Sequence, residues 1–321
     1  MTLVVRDEED ILGEHLEYHL NAGVDLVIVT DHRSRDGTSD ILASYAREGV
    51  VVMLREEAEY AQQAAWQTRM ARLASSEHAA DWVINGDADE FWWPRGSSLK
   101  ETLHAIPSSY GVVYGLQHNF IPPRDDDGWF IDRMTARLAL AAPINDPATP
   151  FRLVVKVAHR GNPRVEIQKG GGHQVFGLGD GVLRTWYPLD VLHFPFRSRT
   201  QSMDKYRKAW TGWEHNLRAD LARARQASDE GRHGAMWDRI ALDNVAVQRG
   251  LREGWLVSDV RLRDTFERLR RARGDPAGRT HQAELSCDMS ESAVFEEADV
   301  IRLQRWTDEI HRRVNSLEDG L

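Results

Sequence analysis

The first part of the chain alternates short apolar runs with helical patterns, one pair in about every 25 to 30 residues, as in βαβ units. The apolar runs are rich in β-branched residues, which is typical of strands buried on both faces of a parallel sheet. The second helical pattern ends in a basic and an acidic residue followed by Gly49, a common helix stop. The runs are Val4–Val5, Leu26–Val29, Val50–Leu54 and Trp82–Ile84. This rhythm predicts a doubly wound α/β sheet.

From Tyr110 to Phe196 the rhythm gives way to short strand-like pieces separated by proline, glycine and aspartate. Such spacing indicates a mixed or antiparallel sheet with long loops. Beyond Arg199, apolar residues recur at helical spacing in stripes that are typical of packing faces. We therefore predict a mixed α/β sheet flanked by helices in residues 1–198 and a helical C-terminal extension in residues 199–321.

Composition narrows the expected partners and compartment. With 41 Lys and Arg against 50 Asp and Glu, the net charge of −9 repels a phosphate backbone, so we expect no nucleic-acid partner. The single cysteine, Cys287, excludes an internal disulfide and a multi-cysteine metal site and favours a reducing compartment. Apolar runs stay far below the ~20 residues of a membrane helix, and no basic-then-apolar leader is seen. We expect a cytoplasmic protein without a transmembrane segment.

Two carboxylates directly follow the fourth apolar run, in the order Asp87, Ala88, Asp89 and Glu90. The carboxyl end of a strand is where α/β folds bind ligands. If the strand continued, alternation would point Asp87 and Asp89 the same way, so that two hard oxygen donors would converge on one point. Such donors suit Mg²⁺ or Mn²⁺, because substrate phosphates complete the shell. The alternative is a solvated acidic turn. Glu90 either supports the ligands from behind or is only a capping residue.

Four segments occur in a specific order over roughly residues 1–95: Val4–Asp10, Gly23–Asp25, Asp31–Thr38 and Asp87–Phe91. In this order and spacing they resemble the family 2-like glycosyltransferases of GT-A fold. A weaker likeness extends to His193–Ser198. His32 departs from the family pattern, which usually has a small polar residue such as asparagine in that turn.

The resemblance implies transfer of a sugar from a nucleoside diphosphate sugar, with the acidic motif holding Mn²⁺ or Mg²⁺ on the diphosphate. A bound metal stabilises the charge that develops on the leaving oxygen. By similarity, Asp89 is the main metal ligand, and Asp87 lies nearer the ribose and shares the metal through water. Asp36 and Thr38 are instead expected to form a cap and turn. The remaining residues expected to contact the nucleotide are Val5, Arg6, Asp7, Glu8 and Asp31.

Further binding candidates lie outside these motifs. Trp66 and Arg69 share one face of the third helical pattern. If that face borders the crevice, Arg69 pairs with diphosphate and Trp66 offers an aromatic surface; otherwise Trp66 is core and Arg69 a solvated neighbour. Lys156 and Arg197 are candidate contacts for phosphate or acceptor, with an ordinary surface charge as the alternative.

Two late histidines are candidates for a third metal ligand, because one imidazole among oxygens suits Mn²⁺. We favour His193, with His173 in reserve. An inverting enzyme also needs a base. Asp180, in a glycine-rich loop, is our first choice, and Asp125–Asp127 is another candidate. A retaining enzyme needs no such base, and the sequence does not separate the two stereochemistries.

The acceptor is not identified by the sequence. Trp92, Trp93 and Trp129 are candidates for stacking on it, with core packing as the alternative. Two other functions stay open: a non-catalytic nucleotide- or carbohydrate-binding protein of the same fold, and a nucleotidyltransferase, which also uses paired carboxylates with Mg²⁺. No Gly-x-Gly-x-x-Gly follows the first strand and no P-loop motif occurs, which disfavours dinucleotide and P-loop functions.

Overall fold

A computed structural model describes residues 1–59, 61–96, 98–140, 154–168, 172–179, 181–183, 187–205 and 237–274. Asp180, Cys287 and most of the helical pattern beyond Arg199 lie outside these described residues. Within them, no helix is both long and apolar enough to cross a membrane.

Strands and helices alternate up to the acidic motif, as the sequence predicted. The elements are β1 (Thr2–Val5), α1 (Leu12–Asn21), β2 (Val27–His32), α2 (Thr38–Arg47), β3 (Val51–Glu56), α3 (Gln63–Ser76) and β4 (Trp82–Gly86). β1 pairs in parallel with both β2 and β4, and β2 pairs in parallel with β3. This half of the sheet is therefore built from parallel strands joined by helices, as in βαβ units.

The middle of the chain adds mixed strands and short helices. These are β5 (Glu90–Pro94), α4 (Leu99–His104), β6 (Tyr110–Asn119), α5 (Phe130–Arg133), β7 (Ala136–Leu138), β8 (Val155–Arg160), β9 (Glu166–Ile167), β10 (Val175–Phe176), β11 (Gly181–Leu183) and β12 (Leu189–His193). Among the described residues, nine strands form one sheet in the order β3-β2-β1-β4-β8-β6-β12-β5, with β11 beside β6. β8 is antiparallel to both β4 and β6, so the prediction of a mixed sheet is confirmed.

The described residues beyond β12 pack against this sheet. Residues 199–205 and 237–240 are helical, and α6 (Asn244–Glu253), β13 (Leu256–Ser258) and α7 (Arg261–Gly274) follow. β13 pairs with β7 in a separate two-stranded sheet. Leu262, Phe266 and Leu269 of α7 belong to the same buried cluster as Leu3 of β1 and Phe91 of β5. The chain is thus a mixed α/β sheet flanked by helices, and the boundary placed after residue 198 stays a prediction.

Candidate active site

Strand direction brings the chemically important residues to one edge of the sheet. β1, β2, β4, β6 and β12 run the same way and end at this edge, whereas β5 and β8 are antiparallel to their neighbours and begin there. The loop between β4 and β5 crosses the edge and carries Asp87 and Asp89. As predicted, the acidic pair therefore lies at the carboxyl end of the parallel strands.

The two carboxylates of this loop do not converge on one point. β4 ends at Gly86, and the backbone N–H of Glu90 donates to the Asp87 carbonyl at 3.1 Å, which closes a tight turn. The strand does not continue, so the alternation that would have aligned Asp87 and Asp89 is broken. Each carboxylate has its own set of partners.

Asp87 is part of an ion cluster with Lys156 of β8. Lys156 Nζ lies 2.7 Å from Asp87 Oδ2 and 3.1 Å from Glu90 Oε2, and Gln63 donates to Asp87 Oδ1 at 3.0 Å. Burial raises the pKa of Glu90 to about 8, although Lys156 opposes this shift. Burial disfavours the charged form of Lys156, but Asp87 and Glu90 outweigh burial and raise its pKa above the ordinary value. Asp87 is thus the counterion of a fixed, buried ammonium group.

Asp89 is buried and faces two basic side chains. Its Oδ2 contacts Nζ of Lys205, which lies in the helical segment 199–205, and its Oδ1 is 3.7 Å from His193 Nε2. The Phe194 N–H donates to the Asp89 carbonyl at 2.8 Å, which fixes the main chain. Burial favours the neutral acid, but Lys205 and then His193 outweigh it and hold the pKa of Asp89 well below its ordinary value.

The two candidate histidines are oriented through their Nδ1 atoms. His173 donates from Nδ1 to the Val155 carbonyl at 2.7 Å, so its Nε2 is left as an acceptor. His193 Nδ1 lies 2.7 Å from Asn119 Oδ1 and also contacts Gln117 Nε2, so two amide groups of β6 fix the ring while its tautomer is not set by them. Burial lowers the pKa of both imidazoles, which favours the neutral form. Such anchoring of one ring nitrogen is typical of metal-binding histidines.

A cavity of about 230 Å³ opens at this edge of the sheet. It joins the carboxylate cluster of Asp87 and Glu90 to both histidines. Its lining residues are Asp87, Glu90, Gln117, Asn119, Val154, His173 and His193. The cavity therefore places acidic oxygens and anchored imidazoles around one space that a polar ligand can enter.

Asp89 and His193 are the residues that fit a divalent cation. Their Oδ1 and Nε2 atoms are 3.7 Å apart, beyond a direct hydrogen bond. Each residue is also held by another contact, the Asp89 carbonyl by the Phe194 N–H and His193 Nδ1 by Asn119. In the part of the chain that the structure describes, no three His, Cys, Asp or Glu side chains are grouped to hold a metal ion. Two protein ligands suffice when substrate oxygens and water complete the shell, and an oxygen with a nitrogen suits Mn²⁺.

The predicted nucleotide contacts Asp7 and Asp31 stabilise turns at the ends of β1 and β2. Asp7 Oδ1 accepts from the Arg35 N–H at 2.6 Å, and Asp7 has a positive φ of 53°. Asp31 accepts from the Ser34 N–H at 3.1 Å and from the Ser39 hydroxyl at 2.5 Å. The contact of Asp7 joins the loop after β1 to the loop after β2, whereas Asp31 stabilises the segment that follows β2.

Asp36 has the structural role that was expected of it. Its Oδ1 accepts from the Thr38 N–H at 3.0 Å, and the Thr38 hydroxyl accepts from the Glu8 N–H at 2.8 Å. The turn before α2 is therefore tied to the loop after β1.

Arg197 joins the β12 exit to the loop after β1. It is buried and binds Asp10 through Nε (2.7 Å) and Nη2 (2.8 Å), and Nη2 also donates to Glu8 at 2.8 Å. Arg197 and Lys156 were candidate contacts for phosphate or acceptor, with an ordinary surface charge as the alternative. Both are buried and pair with carboxylates, so the surface-charge alternative is wrong and the contact stays a prediction. Val5 is buried opposite Asp31 in β2, and Arg6 lies beside Asp7.

The face of α3 that carries Trp66 and Arg69 matches the packing alternative. Trp66 is buried, with its ring centroid 4.8 Å from that of His32. Arg69 Nη1 pairs with Glu56 at 2.7 Å. Neither side chain is presented to the cavity, because burial and ion pairing with the neighbouring strands occupy them.

The tryptophans expected to stack on an acceptor have structural roles. Trp92 and Trp93 are buried in the core. Trp129 donates to Glu14 at 3.0 Å, and the guanidinium of Arg270 covers its ring at 3.7 Å from the centroid. These contacts correct the expectation of an aromatic acceptor platform.

Of the two candidate bases, Asp180 lies outside the described residues. In the Asp125–Asp127 run, Asp126 Oδ2 accepts from the Arg199 N–H at 2.6 Å, and Asp125 Oδ1 accepts from the Asp127 N–H at 3.3 Å. In this run Asp125 and Asp127 are exposed and Asp126 is half-buried.

Sequence reasoning missed Lys205, Gln63 and Asn119. For Lys205 the one available signal was the scarcity of lysine, which accounts for only five of the 41 basic residues. Two of the five, Lys156 and Lys205, contact the acidic motif. Gln63 and Asn119 carry no pattern of their own, since they act only through the side chains that they orient.

Comparison with known proteins finds a matching family model and similar solved structures. No curated protein matches the sequence. Among solved structures, mannosyltransferase PcManGT from Pyrobaculum calidifontis in complex with GDP-Man and Mn²⁺ is 14% identical, with 88% of this chain and 83% of that chain covered and a TM-score of 0.34. S. aureus TarS 1–349 in complex with UDP is also 14% identical, with 73% and 71% covered and a TM-score of 0.31. Residues 3–127, which include the acidic loop, match the model of glycosyltransferase family 92.

Proposed function

We propose that this protein is a glycosyltransferase that moves a sugar from a nucleoside diphosphate sugar to an acceptor, with a divalent cation on the diphosphate. The observation that carries the proposal is the acidic loop at the carboxyl edge of the sheet, where Asp89 and His193 meet within 3.7 Å. The match of residues 3–127 to glycosyltransferase family 92 supports the same class. The finer likeness to family 2-like enzymes of GT-A fold is supported by the motif order alone.

Each residue of the site has its own proposed role in binding. A dication held by Asp89 and His193 would neutralise the negative charge that develops on the leaving diphosphate. Asn119 orients His193, and Lys156 fixes Asp87 near the expected ribose position. His173, which also lines the cavity, is the reserve ligand.

The nucleotide is proposed to lie along the rim formed by the loops after β1 and β2. The groups there are Val5, Arg6, Asp7, Glu8 and Asp31, and their main chains are held by the turn contacts described above. Asp180 stays the proposed base of an inverting reaction. We further propose a cytoplasmic location, supported by the single cysteine in the chain.

The test is a thermal-shift screen of nucleoside diphosphates and their sugars, with and without Mn²⁺, because ligands that bind the native state raise the melting temperature. We expect one nucleoside diphosphate sugar to stabilise the protein more in the presence of Mn²⁺. Release of that nucleoside diphosphate with an acceptor mixture then establishes transfer. Binding without transfer or hydrolysis would favour a non-catalytic binding protein.

The Asp89→Asn variant tests the metal part of the proposal. It keeps the shape of the side chain but removes the charge, and we expect Mn²⁺-assisted nucleotide affinity to fall at least about ten-fold. Asp25→Asn is the matched control, because Asp25 is exposed and pairs only at the surface with Lys100. Calorimetry that gives equal Mn²⁺-assisted affinities for both variants would contradict the assignment of Asp89.

A further inference from the structure

Two lysines neutralise the acidic motif in different ways. Lys156 lies on the central strand β8, and its side chain is 0% exposed, so it is fixed between Asp87 and Glu90. Lys205 reaches Asp89 from the helical segment 199–205, and its side chain is 37% exposed. Its only other hydrogen bond that the structure gives is to the Pro195 carbonyl at 3.3 Å. Lys205 therefore has room to leave, whereas Lys156 does not.

Contacts other than that with Lys205 also hold Asp89. Its carbonyl is fixed by the Phe194 N–H at 2.8 Å, and its carboxylate is only 6% exposed. Its Oδ1 lies 3.7 Å from His193 Nε2, and its Oδ2 contacts Lys205 Nζ. A cation that binds Asp89 Oδ2 therefore competes with Lys205 Nζ for that oxygen.

The charge around this position favours a dication over an ammonium group. With Glu90 counted as neutral, because its pKa is about 8, the neighbouring side chains comprise four carboxylates and three cations, which leaves an excess of one negative charge with Lys205 in place and of two once Lys205 has left. Excess negative charge in a poorly solvated cluster attracts further positive charge strongly. The charged members are Glu8, Asp10, Asp87, Asp89, Lys156, Arg197 and Lys205.

We propose that Lys205 is a tethered counterion that occupies the cation position at Asp89 and is displaced when a divalent cation binds. The inference rests on the proposed function, because it concerns the metal of that site. Lys205 is a positioning residue: it keeps Asp89 charged and in place before the metal arrives, and it lowers the affinity for metal by competing with it. Only a state in which Lys205 has left binds the metal, so the apparent affinity is reduced by the population of that state.

Metal affinity of the full chain tests the competition directly. We use MnCl₂ alone as the probe and follow free Mn²⁺ by electron paramagnetic resonance. Lys205→Met removes the charge and keeps most of the stem, and it should bind Mn²⁺ at least about ten-fold more tightly than the unmodified sequence. Lys205→Arg, which keeps the charge, should stay close to the unmodified sequence. Lys100→Met, at an exposed pair with Asp25, is the control and should change nothing.

Lysine reactivity gives a second readout that does not depend on a substitution. The chain has only five lysines, so reductive methylation followed by mass spectrometry resolves each of them. Addition of Mn²⁺ should raise the methylation rate of Lys205 several-fold and leave that of Lys100 unchanged. A Lys205 rate that does not respond to saturating Mn²⁺ overturns the proposal.

The outcomes separate this inference from the proposed function. Equal or weaker Mn²⁺ binding by Lys205→Met, or loss of metal-free nucleoside diphosphate binding in that variant, would make Lys205 a permanent substitute for the metal and overturn the inference. Absence of Mn²⁺ binding in every variant also overturns it, while nucleotide-sugar transfer would still stand on its own assay. The predicted Mn²⁺ pattern without any transfer supports the inference and removes the transferase.

Discussion

Buried histidines show how single residues of this fold respond to acid. His159 on β8 is 0% exposed; its Nδ1 donates to the Arg160 carbonyl at 2.8 Å, and its Nε2 has no partner within the described structure. Burial lowers the pKa of His159 to about 4, against an unfolded value of about 6.5. Between these two values the unfolded chain takes up a proton that the native protein does not.

The free energy of unfolding should therefore fall as pH falls from about 6.5 to about 4, by up to ~3 kcal/mol from this residue. In the His159→Gln variant this part of the pH dependence should disappear, because glutamine does not titrate. Urea unfolding at pH 7, 6 and 5 measures the slope. The control is His104→Gln, an exposed residue at the end of α4. Parallel slopes for His159→Gln and the unmodified sequence would contradict the prediction.

At the scale of elements, the surroundings of two glycines predict opposite effects on stability when a methyl group is added. A Cβ at Gly115 in β6 would lie 2.7 Å from Val191 and 2.9 Å from Trp92, both buried. Gly13 in α1 has nothing within 4 Å of the added atom. We expect Gly115→Ala to destabilise the protein by about 1–3 kcal/mol and Gly13→Ala to stabilise it by up to about 1 kcal/mol. Chemical denaturation of both variants measures the difference, and a stabilised Gly115→Ala would refute the packing described for β6 and β12.

The same elements show what a sequence can and cannot predict. The β-branched runs of β2, β3 and β4 and the helices between them were predicted, because their signal is local periodicity. The insertion of β8 between β4 and β6, and the pairing of β5 with β12, have no local signal, since non-local pairing is decided by tertiary packing.

The candidate site likewise has a part that the sequence predicts and a part that depends on tertiary packing. The acidic loop was predicted at the end of β4, because its position depends only on the strand before it. The ion-pair partners of its two carboxylates were not predicted, because Lys156 is 69 residues from Asp87 and Lys205 is 116 residues from Asp89. No spacing rule links residues so far apart, so the separate ion pairs of the two carboxylates emerge only from the fold.

For the whole molecule, the question is whether the chain after residue 198 unfolds with the sheet. Arg261 at the start of α7 donates to Asp190 of β12 at 2.9 Å and to both oxygens of Asp259, at 2.9 and 2.8 Å. Asp190 is buried and also pairs with Arg95 at 2.7 Å. Burial opposes ionisation of Asp190, but His118, Arg261 and Arg95 outweigh it and hold the pKa well below the ordinary value.

Arg261→Met should therefore destabilise the protein by about 3 kcal/mol, because it leaves buried carboxylates short of a cation. Arg263→Met is the control: Arg263 is half-buried and pairs with the exposed Asp264, and its loss should change stability by less than about 0.5 kcal/mol. Unfolding is followed by circular dichroism and tryptophan fluorescence, which coincide if one cooperative unit unfolds. Because α7 contributes Leu262 and Phe266 to the core of the sheet, we expect one coincident transition, shifted to lower denaturant. An early, separate transition in Arg261→Met would instead show that residues 199–321 form an independent unit, as the change to helical patterning in the sequence predicts.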